Sequence, residues 1–100
     1  MSELTKMVMI VYNEALDLEV MEALEQAGLK DYTKVMAAFG RGASSGTHLG
    51  NDIWPGRNNI LYVACADIIV PKLLSGIGEL KKKFSTEGVK AFVLPVADSV

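Results

Sequence analysis

Apolar residues recur along this chain in two rhythms, and their order predicts the architecture. Residues 4–12 alternate, with Met7, Met9 and Val11 on one face of an extended strand and Val8, Ile10 and Tyr12 on the other. Both faces are apolar. Residues 13–17 predict a turn, and Asp17 stands as the N-cap of a helix that runs to about Ala27. Leu18, Met21, Leu24 and Ala27 are its expected inner stripe, with Glu19, Glu22 and Glu25 toward water. Gly28 occupies the position at which glycine commonly ends a helix. Residues 32–39 suit a second strand, and residues 60–66 a third that is again apolar on both faces.

The second half repeats the theme. Asp67 is placed to cap a second helix, and Pro71 fits its first turn, where a missing N–H costs little. Leu73, Ile77, Leu80 and Phe84 follow helical spacing and should face the sheet. Gly76 and Gly78 weaken this helix but would let it pack closely on a strand. Lys81, Lys82 and Lys83 complement the dipole at its C-terminus. Residues 89–96 form the last strand, and Pro95 puts its end at a sheet edge or a bulge.

The resulting order, βαββαβ, predicts an α+β, ferredoxin-like fold: an antiparallel sheet with two helices on one face. The other face would be apolar and open. Burying each of its Val, Leu, Ile or Met side chains is worth about 1.5–3 kcal/mol, so self-association is expected there. Ile10→Asp is the change expected to break that association. Periodicity alone does not fix the number of subunits.

Residues 40–59 do not fit either rhythm. A connection this long is more often functional than idle in a domain of 100 residues. Gly40-Arg41-Gly42 and Ser44-Ser45-Gly46-Thr47 offer backbone amides, hydroxyls and one guanidinium to an anion. No Gly-Lys-Ser/Thr follows, so this is no Walker loop, and no helix follows the glycines as a dinucleotide fingerprint requires. Trp54-Pro55-Gly56 reads as a turn with a buried or partner-facing indole. His48, with Asp52 four residues on, is a weak candidate metal ligand. A zinc site needs three or four protein ligands, so a loop hydrogen bond is the commoner role for His48.

Composition narrows the picture further. The chain makes one domain, residues 1–100, and is 50% hydrophobic. A net charge of −2 gives no basic field for nucleic acid. Cys65 has no second cysteine to pair with and reads as a small buried hydrophobe. No catalytic set is evident, and a regulatory binding protein rather than an enzyme is expected, with no required cofactor. No apolar run reaches the length of a membrane span. Met1-Ser2-Glu3-Leu4 lacks the basic and apolar regions of a signal peptide, and the expected location is the cytoplasm.

Three segments carry a family resemblance that covers nearly the whole chain. Lys34-Val35-Met36-Ala37-Ala38-Phe39-Gly40-Arg41 resembles the segment where a Gly-Phe-Gly-Arg run enters the long T-loop of the PII signal-transduction family, in its shorter, PII-like branch. Gly46-Thr47-His48 is similar to the Gly-His step inside that loop, and Lys90-Ala91-Phe92-Val93 to the opening of the last strand. The resemblance implies a homotrimer packed through the open sheet faces. It also implies an adenine nucleotide between subunits and a T-loop that docks on a target protein. The expected ligand residues are Gly40, Arg41, Ser44, Ser45, Thr47 and Lys90. The family's glutamine after Gly-Arg is Gly42 here, which removes its metal-coordinating side chain, and its B-loop is reduced to Ser85-Thr86-Glu87-Gly88-Val89-Lys90. The related CutA-like metal-tolerance family, which shares the trimeric fold, leaves divalent-metal binding as the alternative.

Overall fold

In the computed structural model the described residues are 4–39 and 57–100. Four strands and two helices follow the expected order: β1 (Lys6–Asn13), α1 (Asp17–Gln26), β2 (Thr33–Phe39), β3 (Arg57–Cys65), α2 (Val70–Lys83) and β4 (Val89–Pro95). The strands form one antiparallel sheet in the order β2-β3-β1-β4. The ferredoxin-like arrangement is therefore present, and Pro95 ends an edge strand as its missing N–H requires.

Strand alternation divides the sheet. Val8, Ile10 and Tyr12 of β1 and Leu61, Val63 and Cys65 of β3 are buried beneath the helices. Leu16, Val20, Leu24, Leu73 and Ile77 close the core from the helix side. On the opposite face Met7, Met9, Val11, Ile60 and Ala64 are half-buried, and Tyr62, Phe92 and Leu94 are exposed. Ile10 belongs to the first set, with 0% of its surface exposed. An aspartate there would be buried in the core, so Ile10→Asp attacks folding, and Met9 is the residue that probes the open face.

The first helix enters differently from expectation. A turn of 3-10 helix, Glu14–Leu16, precedes it, and Asn13 caps that turn by accepting from the Ala15 N–H at 2.8 Å. Asp17 is not the N-cap; its carboxylate is used elsewhere. The extra turn shifts the helix phase, so the inner stripe is Leu16, Val20, Ala23, Leu24 and Ala27, while Leu18 is 69% exposed. Met21 packs partly against this core. Glu19 is half-buried rather than turned to water, and its Oε1 is a buried atom without a hydrogen-bond partner. The C-terminus behaves as read: Gly28 has φ +81°, with Gly28 N–H donating to Glu25 and Leu29 N–H to Leu24, a Schellman closure.

In α2, Pro71 lies in the first turn and the three lysines in the last, but Asp67 makes no side-chain cap. Gly76 lies against α1 rather than a strand: a Cβ placed there would sit 3.4 Å from the Ala23 Cβ, whereas one at Gly78 would meet nothing within 4 Å. The third strand starts earlier than the apolar pattern implies, because Asn58 and Asn59 pair with Asn13 and Tyr12 at the end of β1.

Candidate functional site

Strand register brings several chain ends to one end of the sheet. There β1 finishes, β3 and β4 begin, and β2 ends: Tyr12 pairs with Asn59 and Val89, Val11 with Lys90, and Phe39 with Arg57. The chain thus leaves β2 and re-enters β3 at the end where β4 starts. Lys90 is exposed, on the open face, since its ladder partner Val11 lies on that face. Of the expected ligand residues it alone is described; Gly40, Arg41, Ser44, Ser45 and Thr47, together with His48 and Asp52, lie outside the described residues. Trp54 does too. The edge strands β2 and β4 are three inter-strand steps apart, about 14 Å. The turn from α2 to β4 closes with Glu87 N–H donating to Phe84 and with Asn13 N–H donating to Gly88.

A polar cluster beneath the same end of the sheet escaped the sequence reading. Asp17 Oδ1 accepts three bonds: from Tyr12 Oη at 2.6 Å, Lys34 Nζ at 2.8 Å and Asn59 Nδ2 at 3.3 Å. Asn59 Oδ1 in turn accepts the Ala37 N–H at 3.4 Å. Only this orientation of the Asn59 amide satisfies both neighbours. Asn59 is the one buried polar residue among the described residues. Burial pushes the Asp17 carboxyl up, but the bonds from Lys34 and Tyr12, the Lys34 charge and the Asn59 bond outweigh it, and its pKa is held below the ordinary value. Burial, then the bond to Asp17, pushes the Tyr12 phenol well above its usual range.

The cluster abuts an irregularity in β2. Val35 pairs with Ile60 and Ala38 with Asn58, so Met36 and Ala37 together oppose Asn59 in a bulge. Ala37 has φ +59°, uncommon for a residue with a Cβ. The signal for this cluster was present in the sequence. Asn59 and Tyr12 share the strand parity of the core residues, and an asparagine at a core position demands partners.

Cys65 is buried, and burial pushes its thiol up, away from the reactive thiolate. Among the described residues no group of three or more His, Cys, Asp or Glu side chains could hold a metal ion. No helix among them is long and apolar enough to cross a membrane. A groove between α1 and α2 is lined by Glu19, Glu22, Glu79, Lys82 and Lys83.

A ferredoxin-like sheet with a long connection leaving one end is the frame these residues define. The family model for nitrogen regulatory protein P-II matches residues 5–100, and the chain belongs to that family. A candidate PII-like signaling protein of Thermus thermophilus has the same fold; it is 26% identical, the match covers 92% of this chain and 86% of that one, and the TM-score is 0.66. CPII of Thiomonas intermedia K12, bound to ADP, AMP and acetate, is 22% identical over 94% of this chain and 89% of its own, with a TM-score of 0.68. A functionally unknown protein of Pediococcus pentosaceus is 16% identical over 99% of this chain and 98% of its own, with a TM-score of 0.65. No curated protein matches the chain.

Proposed function

We propose that this protein is a cytoplasmic PII-like regulator, not an enzyme, that binds an adenine nucleotide between subunits of a homotrimer. It acts on a protein target through residues 40–59. The observation that carries this reading is family membership over nearly the whole chain, joined to the ADP and AMP held by CPII, a protein of the same fold. The open apolar face supports assembly, because its half-buried methionines and valine sit beside exposed Tyr62, Phe92 and Leu94.

The ligand residues are those the resemblance implies, and strand register supports Lys90 by setting it at the end of the sheet where β2 finishes. In one chain the β2 edge and the start of β4 stand about 14 Å apart, on opposite edges of the sheet, which is compatible with a nucleotide contacted by β2 of one subunit and β4 of its neighbour. Gly40 permits close backbone approach, Arg41 gives phosphate a bidentate fork, and Lys90 adds a point charge. Ser44, Ser45 and Thr47 add hydroxyl donors. Losing one charge-assisted bond costs about 1.5–3 kcal/mol, or roughly ten-fold to a hundred-fold in affinity. Calorimetric titration of ADP should show that loss in Arg41→Ala and in Lys90→Ala, with assembly unchanged. Unaltered affinity in the double variant would remove these residues from the site. Tight zinc or copper binding that His48→Ala abolishes, with no response to nucleotide, would favour the metal reading instead.

A further inference from the structure

The bulge in β2 is held at two points. Upstream, Lys34 Nζ is tied to Asp17 at 2.8 Å, and downstream the Ala37 N–H reaches Asn59, itself bonded to Asp17. Four elements meet at one carboxylate oxygen: the end of β1 through Tyr12, the start of α1 through Asp17, β2 through Lys34 and β3 through Asn59. Core packing does not require this arrangement. A leucine at position 59 would fill similar volume without leaving Asp17 unpaired, because Tyr12 and Lys34 remain. What the asparagine adds is a fixed acceptor for an amide whose residue sits at φ +59°, a conformation that costs energy and persists only when its surroundings dictate it. Two residues beyond Ala37, β2 ends at Phe39.

We propose that Asp17 and Asn59 are positioning residues for the effector site: their relay holds the Ala37 bulge and thereby sets the direction in which β2 delivers the chain to that site. The proposal rests on the functional reading above, in which the nucleotide binds where β2 ends. Lys34 holds β2 upstream of the bulge, and beyond it the strand keeps only the pairs of Ala38 with Asn58 and Phe39 with Arg57, so a change at Ala37 acts on this short end rather than on the whole strand. The relay also links the start of α1 to the same point, since Asp17 is its first residue.

The test pairs local amide exchange with nucleotide affinity in the full-length protein. Asn59→Leu cuts the relay and keeps the volume, and Asp17→Asn is the milder change, should the first not fold. Ile77→Val, in the core on α2, serves as a control that lowers stability away from the bulge. The relay predicts Ala37 exchange faster by about ten-fold and ADP bound about ten-fold more weakly in Asn59→Leu, a ratio readily measured. It predicts neither change in Ile77→Val at a similar loss of Tm. An Ala37 amide that exchanges as in the wild type overturns the relay. Faster exchange with unchanged ADP affinity overturns its positioning role. A wild-type protein that does not bind ADP overturns the functional reading and the positioning role with it, while exchange at Ala37 still decides whether the relay exists.

Discussion

Asp17 joins the start of α1 to three strands through a single carboxylate oxygen, and its ionisation should be visible in the acid stability of the protein. Its pKa is lowered by folding, so its contribution is fully present above the unfolded value near 3.8 and is lost as pH falls through the folded value. The Asp17 side chain is 39% exposed, and solvent screening keeps the effect modest. Asp17→Asn should therefore lower Tm near neutral pH, and the gap from the wild type should close below about pH 4 as the wild-type carboxylate protonates. Thermal melts across that range check this; a gap that stays constant into acid would show that the charge of Asp17 is not what stabilises the cluster. At this scale the sequence was least legible. Asp17 looks like a cap and Asn59 like part of a loop, because their partners at Tyr12, Lys34 and Ala37 are set by strand register rather than by spacing along the chain.

Elements were read more readily than their phases. The alternation of Val8, Ile10 and Tyr12, and of Leu61, Val63 and Cys65, specified two central strands, and Gly28 marked a helix end that the structure keeps. The phase of α1 was not legible from Leu18 onward, because the stripe begins at Leu16 in a preceding 3-10 turn. The start of β3 was hidden for a related reason: Arg57, Asn58 and Asn59 have no strand preference, and only pairing with β1 and β2 makes them a strand. In α2 the two glycines have separate roles. Gly78→Ala meets nothing within 4 Å and should gain most of the helix propensity difference, about 0.8–1 kcal/mol. Gly76→Ala, at 3.4 Å from the Ala23 Cβ, should gain less, and Gly76→Leu should destabilise by forcing the helices apart. Urea denaturation of the three variants orders them; equal gains at both positions would show that α1 and α2 do not pack closely at Gly76.

The whole molecule presents a sheet finished on one side only. Two-faced strands announced the open face, but neither the subunit number nor the ligand follows from that pattern. Subunit number is set by contacts between copies, and the expected ligand residues other than Lys90 lie in a connection without periodicity. Met9 pairs with Tyr62 and Phe92 across the open face, so an aspartate there would be buried in any assembly through it. Met9→Asp should yield monomers that keep the fold. Sedimenting the wild-type protein with ADP, and following both, decides whether the chain is a nucleotide-binding trimer. The prediction is one boundary at about three times the chain mass of 10.8 kDa, with ADP moving in it. A boundary at the mass of a single chain, with ADP left behind, would contradict it.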